Sequence, residues 1–230
     1  MKTQLHRVIL ALVAAISLAA CDASVNEPVV IEDGTKDATG RSTVNGSIRV
    51  GDDVTVTSGT FRSVNGSARI GSRAVVPSVT LVNGPITVGD DSETGSLATV
   101  NGDIQVGTGT RVNEGIESVN GAVSLLAGAA VTGGVVTVNG RITLDGATVN
   151  GDVENVNGGM TLTGVAVING SLAVRRPRGV NTADQVPVIA IGPEATITGS
   201  LTFEREVDLQ LHRSAKVGEI IGATPEYIDE

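Results

Sequence analysis

Tryptophan is absent from the 230 residues, tyrosine occurs once (Tyr227) and phenylalanine twice (Phe61, Phe203). Surfaces that bind sugars or nucleic acids usually offer aromatic platforms for stacking, and this chain has almost none to offer. Basic residues are also in the minority. Sixteen Lys and Arg face 25 Asp and Glu, a formal charge of −9. Nucleic-acid binding rests on a basic face that neutralises phosphate, so no nucleic-acid partner is expected. There is one cysteine, Cys21, and hence no disulfide within the chain. The two histidines are His6 and His212. No metal-ligand cluster, nucleophile motif or phosphate loop appears, so no catalytic residue, no metal and no cofactor is assigned. Sustained helical periodicity is missing beyond the first 20 residues.

What the chain does have is glycine, 30 residues of it, and a repeat. The triplet Val-Asn-Gly centres on Asn45, Asn65, Asn83, Asn101, Asn120, Asn139 and Asn157, at spacings of 20, 18, 18, 19, 19 and 18 residues. A period near 19 is the length of one solenoid coil. With the Val counted as zero, apolar residues recur at −3, 0, +4 and +6, as Leu97, Val100, Ile104 and Val106 show. The +4/+6 pair is a short strand with one face in and one face out. Asn-Gly is also a hairpin signal, but a hairpin needs an alternating strand on both sides of the turn. Here the strand is clear only downstream. The reading is an all-β, single-stranded parallel β-helix of about nine coils of 18–20 residues. The variable coil length favours the right-handed form over the strict six-residue beat of the left-handed one. The seven Asn would then stack about 4.8 Å apart and hydrogen-bond as a ladder at one corner. An exposed row of amides gripping a ligand is the competing reading of the same residues.

In chain order, Lys2 and Arg7 precede the apolar run 8–20. That run is too short to span a bilayer and suits a signal peptide. Leu18-Ala19-Ala20-Cys21 resembles the lipobox of bacterial lipoproteins. The resemblance implies cleavage before Cys21, its lipidation, and membrane lipid as a partner. Loss of Lys2 and Arg7 would take the charge from −9 to −11. Asp22 resembles the signal for retention in the inner membrane, with the outer membrane as the alternative. Residues 21–40 are polar and acidic and read as a lipidated tether, with Val29-Val30-Ile31 as a first cap strand. Residues 41–174 are the repeats. Residues 175–187 break the pattern as an excursion loop, read first as a solvated loop that keeps the coil edge from pairing, with Arg175, Arg176 and Arg178 as a candidate anion-binding site in the competing reading. Residues 188–230 read as final coils and a C-terminal cap. The acidic pairs Asp52-Asp53 and Asp90-Asp91 recur after a strand. They read as solvated loops rather than a cation site, since nothing matches calcium-loop spacing.

The repeats, with Ile-Gly-Pro-Glu-Ala-Thr-Ile-Thr-Gly-Ser-Leu at 191–201, resemble bactofilins. That resemblance implies a compact right-handed β-helix that polymerises end to end without a nucleotide. The Val-Asn-Gly strings are also similar to β-strand-repeat envelope proteins described as adhesins. The chain departs from typical bactofilins in its signal, its tether and its Arg loop. The resemblance therefore implies a membrane-anchored structural relative, periplasm-facing in a bacterial envelope, with a second copy as partner. Two alternatives stay open. One is an envelope binding module or adhesin that holds a polymer or protein on a β-helix face or the Arg loop. The other, least favoured, is a polysaccharide-modifying enzyme or an acyltransferase, with His212 as its candidate base.

Overall fold

The computed structural model describes residues 24–177 and 186–229. They wind into a parallel β-helix with three faces. The first face stacks eleven strands, from Val29–Ile31 through Ile48–Val50, Ala68–Ile70, Ile86–Val88 and Ile104–Val106 to Glu226–Ile228. The third face stacks ten, from Ser42–Thr43 to Ile220–Ile221. The second face, between them in each coil, has eight two-residue strands from Val75–Val76 to Lys216–Val217. Below these lie Ala38–Thr39 and Val56–Ser58, tied in by a bridge from Thr55 to Val75. Eleven strands at about 4.8 Å make a rod roughly 50 Å long.

Every pairing joins a strand to its equivalent one coil on, in parallel and in register, for example Ile86 with Ile104 and Val88 with Val106. The sequence dictates this register. Slipping by one residue would turn every inward Ile and Val of the first face to water. Inward positions on that face form two apolar columns, such as Ile48, Ala68, Ile86, Ile104, Val123 and Ile142, all buried. The third face contributes Phe61, Val79, Leu97, Ile116, Val135 and Val153, also buried. The second face adds Val112, Val131, Val149 and Ile168. Apolar columns from three faces, meeting across a narrow core, leave little room for aromatics, and Phe61 is among the largest fully buried side chains.

Two features could not be read from the apolar pattern alone. First, the Val of the triplet, though apolar, does not point inward. Strand alternation puts −3 and −1 inside, and 0 outside. Val64, Val100 and Val138 are half-buried on the outer surface, while Ser63, Thr99 and Thr137 are buried in the core. Second, the described part of the 21–40 segment, residues 24–40, is not a free tether. From Ser24 onward the chain already forms a coil. Ser24 bridges Thr43, Val29–Ile31 pairs with Ile48–Val50, and Ala38–Thr39 pairs with Val56–Ser58. Cys21 lies outside the described residues, as do residues 178–185, which include Arg178.

Candidate functional site

The corner between the third and first faces carries the asparagines. Each amide Nδ2 donates to the Oδ1 one coil below: Asn157 to Asn139, Asn139 to Asn120, Asn120 to Asn101, Asn101 to Asn83, Asn83 to Asn65, and Asn65 to Asn45, at 2.6–2.9 Å. The row runs one step further than the triplets do, since Asn45 donates to Asn26 at 2.7 Å. Asn26 is followed by Glu27 rather than Gly, which hid it from a search for the triplet. At the upper end Arg205 Nη1 donates to Asn157 Oδ1 at 3.1 Å. All the amide dipoles point the same way, with the acceptor end uppermost. A guanidinium there is in the favourable place, as a cation is at a helix C-terminus. A second, shorter ladder joins Asn169 to Asn150 at 2.8 Å on the next corner of the late coils.

The ladder amides are exposed from Asn45 to Asn139, yet each has its oxygen and one N–H engaged within the row. This is a structural use of the amide. Replacing Asn101 with Ala removes one bond to Asn83 and one from Asn120. The expected loss is about 1–2 kcal/mol, at roughly 1 kcal/mol per net hydrogen bond at most. Urea denaturation of the variant checks it.

The three arginines of the excursion part company. Arg175 is held by two carboxylates. Its Nη2 donates to Glu154 Oε1 at 2.8 Å and its Nε to Glu154 Oε2 at 3.3 Å, while Nη1 donates to Glu204 Oε1 at 3.1 Å. Glu154 is buried, and Glu154 holds the Arg175 guanidinium firmly charged, with its pKa raised. The Arg176 backbone N–H donates to Glu204 Oε2 at 3.1 Å and its Nε to the Glu204 carbonyl at 3.2 Å. That backbone bond, then Arg175, lowers the Glu204 pKa. Arg175 thus has Nε, Nη1 and Nη2 on its own chain's carboxylates, while exposed Arg176 has its backbone N–H and Nε tied to Glu204. The carboxylates come from 21 and 29 residues away in sequence, so the linear chain gives no sign of them.

The acidic pairs have local duties. Asp52 Oδ1 accepts the Ser72 N–H, and Asp90 Oδ1 the Thr108 N–H, both at 2.8 Å. Asp53 pairs with Arg73 through two 2.8 Å bonds. Among the described residues no three His, Cys, Asp or Glu side chains gather to hold a metal ion. His212 lines a groove of about 640 Å³ at the C-terminal end with Thr196, Arg213, Lys216, Val217 and Tyr227. Its Nδ1 accepts the Ser214 N–H at 3.1 Å, with Ser214 Oγ 2.9 Å away. A general base is normally oriented through its second nitrogen by a carboxylate or carbonyl. Among the described residues both partners of His212 come from Ser214, in its own turn, and fall on the one nitrogen.

One outward carboxylate is out of place. Glu117 sits on the third face in register with Ala98 below and Val136 above, and burial raises its pKa. A carboxyl whose folded pKa lies above the unfolded value of about 4.5 destabilises the fold where it is ionised, and that penalty fades as pH falls through the folded pKa. Glu117→Gln is therefore expected to raise Tm at pH 7, with the gain shrinking toward pH 4. Thermal melts of both forms across that range check it.

The fold and side-chain arrangement define a parallel β-solenoid. No family model matches the chain, and neither does any curated protein or solved structure.

Proposed function

We propose that this chain is a non-catalytic, membrane-anchored structural lipoprotein of the bacterial cell envelope, whose β-helix is a short rigid scaffold able to self-associate through its free end. The observation that carries the reading is the state of the C-terminal coil. The last strands of the second and third faces, Lys216–Val217 and Ile220–Ile221, pair with the coil below and have no described strand above them. Inward residues there, Val217, Ile220 and Ala223, are only half-buried, whereas equivalent positions in the middle coils are fully buried. Open solenoid ends of this kind are ready to pair with another chain.

The lipobox-like segment supports a lipid anchor at the opposite end. Because Ser24 already belongs to a coil, an acylated Cys21 would be at most about 10 Å from it, at roughly 3.5 Å per residue. The bilayer would then lie against the N-terminal end, leaving the C-terminal end facing outward. An envelope binding module is the weaker reading, since Arg175 and Arg176 are engaged within the chain.

Among the described residues the core runs from Val29 to Ala223, all of it within residues 22–230. Sedimentation velocity and negative-stain microscopy on that fragment, over a range of concentration and salt, test the scaffold. Concentration-dependent ordered assemblies support it. A monomer at every concentration would refute self-association. Mass spectrometry of Cys21 from a membrane fraction separately tests the anchor.

A further inference from the structure

Coiling gathers arginines that the linear sequence scatters. Residues 38–76 hold Arg41, Arg49, Arg62, Arg69 and Arg73 against only Asp52 and Asp53, a local excess of three positive charges in a chain of net −9. Arg73 is paired with Asp53 on the corner between the first and second faces. The other four surround the foot of the asparagine corner. Arg49 and Arg69 point outward on the first face, Arg62 lies on the third, and exposed Arg41 immediately precedes the third-face strand Ser42–Thr43, with Asn45 and Asn65 between the two faces.

Arg49 and Arg69 are in direct register on adjacent strands. Like charges directly opposite one another destabilise a sheet, and no neighbour in the column relieves them. Val30 stands below Arg49 and Thr87 above Arg69. On the third face Arg62 lies between Ser42 and Thr80, and its Nε is buried with no hydrogen-bond partner. None of the four has an ion pair among the described residues, whereas Arg73, Arg175 and Arg213 do. The first coil is acidic, but its Glu32, Asp33 and Asp37 follow Ile31 into the next corner and the second face. Only Glu27 shares the asparagine corner.

We propose that Arg41, Arg49, Arg62 and Arg69 form a contact for the phosphate groups of an anionic lipid bilayer. Guanidinium groups match phosphate oxygens geometrically and remain charged at any physiological pH. The chain's own course argues for a bilayer as the occupant. Ser24 bridges Thr43 on the third face, two residues before Asn26 opens the asparagine corner. An anchor at Cys21 would thus enter beside these arginines. Contact there tilts the rod so that this corner, rather than its acidic first coil, meets the headgroups. The remaining negative charge lies mostly more than a Debye length of about 8–10 Å further up the rod, where salt screens it. This placement rests on the anchor reading above, but the arginine contact can be tested without it.

Residues 22–230, which lack Cys21, are co-sedimented with phosphatidylglycerol vesicles and with phosphatidylcholine vesicles at low and physiological salt. Binding is expected to the anionic vesicles only, weakening as salt rises. Arg49→Gln with Arg69→Gln is expected to weaken it roughly 30-fold, at about a fivefold effect for each arginine near an anionic surface. Arg49→Lys with Arg69→Lys should keep most of the binding. The control Arg111→Gln with Arg141→Gln, which removes the same charge further up the rod, should change it little. Circular dichroism confirms that each variant is folded. Equal loss in the control pair would mean that net charge alone governs binding and overturns the proposal. So does absence of binding at low salt, equal binding to phosphatidylcholine, or binding of inorganic phosphate without vesicles. Failure here with acylated Cys21 found in the membrane fraction would leave the anchor standing and remove only the arginine contact.

Discussion

Gly140→Ala is expected to destabilise the protein by at least about 3 kcal/mol, an unusually large loss for adding one methyl group. A Cβ on Gly140 would lie 1.8 Å from the Gly121 carbonyl oxygen, 2.3 Å from its carbon and 2.8 Å from the Ala122 nitrogen. All three are backbone atoms of the coil below, so no side chain can rotate away. The same is true along the corner: the Cβ would meet the carbonyl oxygen of the preceding coil at 2.2 Å for Gly66, 2.1 Å for Gly102, 1.7 Å for Gly121 and 1.9 Å for Gly158. Relief requires two coils to separate by more than an ångström where the Asn139–Asn120 bond and the strands beside it hold them together. Gly34 provides the contrast. It has φ of +69° and nothing within 4 Å of its Cβ, so Gly34→Ala meets only the left-handed backbone penalty of about 1 kcal/mol. Urea denaturation of both variants in residues 22–230 decides the matter. A Gly140→Ala loss no larger than that of Gly34→Ala would mean that the corner is held by backbone conformation and not by close approach. Coils touch only their neighbours, so the Gly140→Ala variant should also become cleavable by protease near the junction of these two coils.

The repeat made much of this architecture legible. Asn and Gly recur because each has a corner duty, and Ile, Val and Leu at +4 and +6 recur because the first face must point them inward. The facing of position 0 is not legible in the sequence. Valine is apolar whichever way it faces, and Ser63, Thr99, Ser118 and Thr137 do not look like core residues. Their hydroxyls are acceptable inside only because each reaches a glycine carbonyl on the coil below, as Ser63 Oγ does to Gly46 O at 2.8 Å and Thr137 Oγ1 to Gly121 O at 3.2 Å. That partner is 15 to 17 residues away, beyond any local pattern. The first coil was hidden because Glu27 stands where later coils have Gly. Its Cβ is tolerated there since no described coil lies beneath it. The basic corner was invisible for a related reason: Arg41, Arg49, Arg62 and Arg69 are spread over 29 residues and become neighbours only when the coils stack. Contacts between coils in effect follow the repeat length, so a sequence read in short windows recovers the strands and loses the side-chain pairs.

Asn155→Leu is expected to cost roughly 2–5 kcal/mol, although leucine has the same branching and number of side-chain heavy atoms and the site is fully buried. Asn155 continues the inward −1 column above Thr137. Its Nδ2 donates to Gly140 O at 2.8 Å, and its Oδ1 accepts the Gly158 N–H at 2.8 Å. One side chain thus satisfies an acceptor on the coil below and a donor in its own corner. Leucine would leave both without that partner, away from water. The hydrophobic gain from the substituted side chain is about 1.5–3 kcal/mol at best, and the branched Cδ atoms would press on the same two polar groups. Thr137→Val loses the bonds at Gly121 O and Gly140 N, which are longer at 3.2 and 3.3 Å. Its expected loss is nearer 1 kcal/mol. Above Asn155 the column changes character to Val174 and Phe203, and at that point Arg205 arches back to the Val156 carbonyl and Asn157. The amide of Asn155 is therefore the last internal tie of the corner before the ladder ends. If Asn155→Leu proves neutral while Thr137→Val does not, water must reach Gly140 O and Gly158 N from the outside, and the corner is looser than its packing implies. If the larger loss is found, hydrogen exchange should show the Gly158 amide losing protection first, ahead of the first-face strand Met160–Thr163.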